Sequence, residues 1–169
     1  MKRLLSTLAV TTCLLSIYPA STWAGGQGLV LFSGVSRENQ LPFSMDYDGQ
    51  TNIRDRYRLR IPAKKMKLAV AQFTISYPES YKGSFDPKKV EIKVGDKKVA
   101  ISETRWNKEA RVIEIFPQEP VPAGKKVELV LSNVENPSYP GMHYFNCQVL
   151  SPGDVPLPRS LGVWIIGIN

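Results

Sequence analysis

Three residues near the C-terminus, Met142, His143 and Cys147, belong to the soft ligand set of copper. Their spacing argues against a shared site. On a strand, His143 and Cys147 would share a face about 13 Å apart, and Met142 would point to the other face. A blue-copper centre needs two histidines, and the chain has one. The metal expectation is therefore none, with Cys147 read as a small buried hydrophobe. The same shortage of histidine leaves His143 as the only candidate base for a serine or cysteine nucleophile. No G-x-S-x-G elbow surrounds any serine, and neither phosphate-binding glycine motif occurs. Paired carboxylates are uninformative among fifteen acidic residues. The expectation is no enzyme, no catalytic residue and no cofactor.

Charge carries the stronger signal. Within residues 54–67 lie Arg54, Arg56, Arg58, Arg60, Lys64, Lys65 and Lys67, opposed only by Asp55. The four arginines alternate with Asp55, Tyr57, Leu59 and Ile61, so a strand would set them in one outward row at about 6.6 Å spacing. Such a row suits an anionic polymer, an acidic protein surface or an anionic envelope component. The plainer reading is a solvated strand face with acidic cross-strand partners, which would also protect an edge. Nucleic acid is not expected, because no binding module is recognisable. A separate set, Tyr77, Tyr81, Phe85 and Tyr139, lies in or beside loops rich in proline, glycine and serine. Tyr77, Tyr81 and Tyr139 would stack on sugars if exposed, and would plug the end of a sandwich if buried.

Residues 1–24 have the layout of a secretory signal. Lys2 and Arg3 precede an apolar run from Leu4 to Ile17, Pro19 breaks it, and Thr22 and Ala24 fit the small-residue rule. The run is shorter than the roughly 20 residues of a spanning helix. Removing it leaves Cys147 as the single cysteine and excludes an intramolecular disulfide. The mature chain is then expected in the periplasm, the thylakoid lumen or at the cell surface, with no transmembrane span.

Short alternating segments bounded by Pro, Gly, Asn and Asp supply the elements that would position these residues. Strands are expected at 28–32, 57–61, 68–75, 90–94, 98–101, 112–116, 127–131, 143–149 and 161–168. Gly95-Asp96 turns a hairpin, and 161–168, apolar on both faces, reads as a buried central strand. Residues 106–110 read as a loop, as do 34–52 and 151–160. The expected fold is an all-β antiparallel sandwich, immunoglobulin-like, of about eight or nine strands. Its expected organisation is a signal at 1–24, an irregular strand and loop at 25–52 and the sandwich at 53–169.

Further motifs carry a resemblance. Pro120-Val121-Pro122-Ala123-Gly124 precedes an alternating strand. Asn133-Val134, Asn136-Pro137, Gly141, Tyr144-Phe145, Ser151-Pro152-Gly153 and Leu161-Gly162 follow, with Arg56-Tyr57 and Ile61-Pro62 upstream. Over 43–169 and with the signal, the chain resembles a secreted cyanobacterial family catalogued only as a domain of unknown function. The resemblance implies an exported all-β domain and brings no activity and no site residues. Lys64-Lys65-Met66 departs from the alanine-glycine pattern of that family, within the basic window. The motif order is also similar to that of immunoglobulin-like copper carriers, although the ligand spacing does not support a copper site. The expected function is an exported, non-enzymatic binding or envelope-associated module that holds an anionic partner on its basic strand. The alternatives are a carbohydrate-binding module and a copper-carrier-like protein.

Overall fold

The computed structural model describes residues 34–153 and 157–169, and residues 34–169 form one compact unit. The expected signal at 1–24 and strand at 28–32 lie outside the described residues. Among the described residues there are ten strands: β1 (Phe43–Met45), β2 (Arg54–Ile61), β3 (Gln72–Ser76), β4 (Val90–Val94), β5 (Lys97–Val99), β6 (Ile101–Asn107), β7 (Val112–Pro117), β8 (Val127–Glu135), β9 (Gly141–Leu150) and β10 (Arg159–Ile168). They form two antiparallel sheets, ordered β1-β2-β8-β4-β5 and β10-β9-β3-β7-β6. The all-β antiparallel sandwich expected from the alternation is the fold observed.

Period-two patterning builds the core. Tyr57, Leu59 and Ile61 of β2, with Ile92 and Leu129, face Phe73, Ile75, Ile113, Ile115, Phe145, Cys147, Trp164 and Ile166 of the other sheet. Burial of this apolar surface is the main favourable contribution to folding. Trp164, fully buried, has its indole N–H on the carbonyl of Arg60 at 3.2 Å, which satisfies the one polar atom of the ring.

Several boundaries differ from the expectation. β10 is an edge strand, not a central one. Its inner face packs into the core, and its free edge is covered by residues 39–51. The Leu41 amide donates to Val163 O at 2.8 Å, Asn169 N to Gly49 O at 3.0 Å, and Thr51 N to Asn169 O at 2.8 Å. Gly162 sits against the Asn39 carbonyl with φ +142°, where a Cβ would collide with that backbone. The 34–52 stretch is therefore not a plain loop, since β1 within it pairs with β2. Ala100 divides the expected second hairpin arm. β5 ends before it, and Ile101 begins β6 in the other sheet. Trp106 and Asn107 belong to β6 rather than to a loop. The segment 68–71 precedes β3 and carries the chain from one sheet to the other.

The registers sort the connections into two ends. Gln72 pairs with Leu150, Phe73 with Ile115, Ile61 with Val127, and Val94 with both Val127 and Lys97. Residues 62–71, 95–96, 118–126, 151–153 and 157–158 thus share one end. Residues 46–53, 77–89, 108–111 and 136–140 share the other. Gly124, at φ +70°, turns the first of these ends tightly enough for its amide to reach Met66 O at 2.7 Å.

Candidate functional site: a basic sheet face and its lysine end

β2 supplies the row. Arg54 and Arg56 are exposed and Arg58 and Arg60 half-buried, while Asp55, Tyr57, Leu59 and Ile61 are buried. β2 is not an edge strand, because β1 and β8 flank it. Edge protection therefore does not explain the arginines.

The row is partly paired. Arg58 donates to Asp46, which holds the Asp46 carboxyl below its usual range and raises the guanidinium. Arg60 Nε donates to Glu128 Oε2 at 2.9 Å, and its Nη2 donates to Ser44 Oγ at 2.9 Å. Arg56 Nε donates to Ser132 Oγ at 3.1 Å, and its Nη1 lies 3.7 Å from Asp46. Arg54 faces Glu135 in register without an ion pair within 4.0 Å among the described residues. One end of the row is thus neutralised, and Arg54 and Arg56 remain the more available cations.

The same face extends past β8. Lys93 of β4 lies 3.6 Å from Glu128, and Lys98 of β5 donates to Glu91 Oε1 at 2.7 Å, which lowers that carboxyl. With Arg56 and Arg58, these lysines surround a shallow depression of about 340 Å³ floored by Val130 and Ser132. Sequence reasoning on the 54–67 window missed Lys93 and Lys98. Their signal was available, since Lys93 falls out of phase with Val90, Ile92 and Val94, and the Gly95-Asp96 turn sets Lys98, out of phase with Val99, opposite it on the outer face.

The window's lysines do not join that row. Lys64 and Lys65 lie in the one-turn 3-10 segment Ala63–Lys65, and Lys67 follows it in the crossing loop. Lys65 donates weakly to Asn39 Oδ1 at 3.4 Å. The Gly124–Met66 hydrogen bond sets Lys125 and Lys126 beside them.

The other candidates separate cleanly. Tyr77 and Tyr81 are buried at 8% and 2% exposure, and with Phe85 and Phe145 they plug the opposite end. Tyr77 OH accepts from Trp106 Nε1 at 2.8 Å. Their stacking on a sugar is thereby corrected, because neither presents a free ring face. Tyr139 alone of the three is exposed. His143 is buried, with Nδ1 3.2 Å from Ser80 Oγ, while Met142 lies on the opposite, exposed face of β9. Burial pushes the Cys147 thiol well above its ordinary value, away from a ligating thiolate. Among the described residues no cluster of three metal-ligating side chains occurs, and no helix is long and apolar enough to cross a membrane.

No significant match occurs among curated proteins. Three solved structures illustrate the range of similarity. A C-terminal fragment of the major pilin GBS80 of Streptococcus agalactiae matches at TM-score 0.49 and 11% identity, covering 77% of this chain. This chain spans 55% of that fragment. The collagen-binding domain of a Staphylococcus aureus adhesin matches at 0.43 and 8%, covering 76% of this chain and 96% of that one. An uncharacterized immunoglobulin-like protein from Nocardia farcinica matches at 0.42 and 10%, with coverages of 76% and 97%. All three scores lie below 0.5, too low to bear on function. The sequence itself is decisive at the family level: residues 29–168 match the model described as "Protein of unknown function (DUF2808)", and the chain belongs to that family.

Proposed function

We propose that the protein is an exported, non-enzymatic, envelope-associated binding module that holds an anionic partner on its basic surface. The observation that carries this reading is the outward arginine row of β2, continued by Lys93 and Lys98 on the same face. An interior strand gains nothing in edge protection from four arginines. The acids on the face, Asp46, Glu91 and Glu128, neutralise only part of it. Guanidinium groups suit carboxylate, sulfate or phosphate oxygens, because their fork offers two parallel donors.

Binding to dextran sulfate, used as a probe polyanion, is expected to fall steeply between low and physiological salt. The Arg54→Ala/Arg56→Ala/Arg58→Ala variant should bind at least tenfold more weakly, with its thermal midpoint little changed. Equal binding by this variant and the parent would sink the reading.

A further inference from the structure

We propose that the end of the sandwich formed by residues 62–71, 95–96, 118–126, 151–153 and 157–158, with Lys97 at the start of β5, docks onto the surface of a bilayer rich in anionic lipid. This goes beyond the reading above, because it assigns a second basic surface, the lysine end rather than the arginine face, and a lipid partner.

Charge is the first observation. The connections at this end carry Lys64, Lys65, Lys67, Lys125 and Lys126, with Lys97 at the start of β5, against Asp96 and Glu119 among the described residues. Among the described residues, none of the six lysines lies within 4.0 Å of a carboxylate. The cations that do pair, Arg56, Arg58, Arg60, Lys93 and Lys98 on the basic sheet face and Arg105 on β6, lie away from this end. The opposite end is balanced, because its connections (46–53, 77–89, 108–111 and 136–140) hold five basic and five acidic side chains. One end of this small domain thus carries a net positive charge and the other none, and only the first suits a negatively charged surface.

Exposed apolar side chains are the second observation. Leu68 follows Lys67 in the crossing loop and is 55% exposed, and Leu157, shortly before β10, is 75% exposed. A soluble polyanion offers such residues nothing. A membrane interface offers acyl chains to the leucines and acidic headgroups to the flexible lysines around them.

A cleft of about 680 Å³ at the same end is the third. Val94, Val99, Val121 and the two prolines Pro120 and Pro122 form its apolar side, and Lys97, Lys125 and Lys126 line it together with Asp96 and Glu119. Its size is that of a small-ligand site, and its lining suits the part of a lipid next to the headgroup. Weak apolar anchors and a polybasic cluster are each marginal alone, whereas two such signals together hold a protein at a bilayer.

The test uses the protein recovered after export, sedimented with vesicles of phosphatidylcholine, with vesicles containing phosphatidylglycerol, and in parallel with dextran sulfate. Binding is expected only to the anionic vesicles and to dextran sulfate, and should weaken with salt. Lys64→Gln/Lys67→Gln/Lys125→Gln/Lys126→Gln should cut vesicle binding at least tenfold. Leu68→Ser/Leu157→Ser should cut it severalfold and leave dextran sulfate binding unchanged. All these side chains lie outside the core, and an unchanged circular-dichroism melt verifies folding. Binding to dextran sulfate but not to anionic vesicles would overturn this inference and leave the proposed function standing. Binding to neither would overturn both. Equal binding to neutral vesicles, or an undiminished leucine variant, would also overturn the docking mode.

Discussion

The Tyr57 hydroxyl donates to Asn136 Oδ1 at 2.6 Å from the middle of the arginine row, so the residue between two outward cations is anchored in a buried polar chain. Tyr81 OH lies 3.0 Å from the same hydroxyl, and Asn136 Nδ2 donates to the Gln50 carbonyl at 2.7 Å. The row is therefore registered from beneath: the loop 136–140, the 46–53 turn and the aromatic plug all meet at Tyr57.

Tyr57→Phe keeps the ring and removes the hydroxyl. The Tyr81 hydroxyl and Asn136 Oδ1 then lose a buried partner. An unsatisfied buried polar group costs about 1–3 kcal/mol. The denaturation midpoint should fall by that amount at unchanged slope in urea. A Tyr57→Phe/Asn136→Ala cycle should be strongly non-additive, since both substitutions break the same bond.

The same elements show what sequence could and could not reveal. The outward arginines were legible because period two is a local property of residues 54–61. The plug at Tyr77, Tyr81 and Phe85 was legible as one of two readings, and burial selects it. The mis-set boundaries share a cause, because each depends on partners distant in sequence. β10 is an edge strand whose free edge is covered by residues 39–51. β5 and β6 read as one arm because the crossing at Ala100 carries no proline or glycine. The lysine end was invisible for a different reason. Lys97, Lys125 and Lys126 join Lys64 and Lys67 through strand register, which a single window of sequence does not contain.

Asp55 puts an acidic side chain at an inward position of the alternation, and the structure explains it. The side chain points inward, buried at the β2 bulge. It accepts from the amides of Asp46 at 2.9 Å, Tyr47 at 3.1 Å, Gly49 at 3.3 Å and Arg56 at 2.6 Å. Asp55→Ala leaves these donors without their acceptor and should destabilise by about 3 kcal/mol or more, as for a broken buried charged network. Hydrogen exchange should accelerate first at the amides of 46–49. Unchanged protection there would contradict the role.

Arg60→Ala is the contrasting case. It removes the bonds to Glu128 and Ser44, but both ends of the ion pair are partly solvated. Exposed pairs contribute about 0–1 kcal/mol. Thermal stability should hardly change, and a loss well above that range would show that the row is built for stability rather than for contact with a partner.

Cys147 sits on β9 with no exposed surface, and burial pushes its thiol well above the ordinary range. The thiolate is the reactive form. In the protein recovered after export, which the sequence expects to carry this single cysteine, a maleimide or disulfide reagent should label nothing under native conditions. It should label one thiol per chain in urea. Rapid native labelling would place the thiol at the surface and revive it as a candidate ligand.

His143 gives the acid limb of stability its shape. It is buried on β9 against the edge of Tyr81, with Ser80 at Nδ1 and no partner at Nε2. Desolvation lowers its pKa below the ordinary histidine value, so the fold favours the neutral ring. The unfolded chain takes up its proton near pH 6.5 while the folded protein still excludes it. The unfolded state then binds more protons, and stability rises with pH across that interval. The contribution is fully present above about pH 6.5 and is lost as the pH falls toward the lowered folded value. Urea midpoints should decline from pH 7.5 to 5, and His143→Asn should flatten that decline. Because the chain has one histidine, a single imidazole proton signal reports the titration directly. A midpoint at or above the ordinary value would show that the ring finds a charged partner or reaches water, and would remove His143 as the source of the slope.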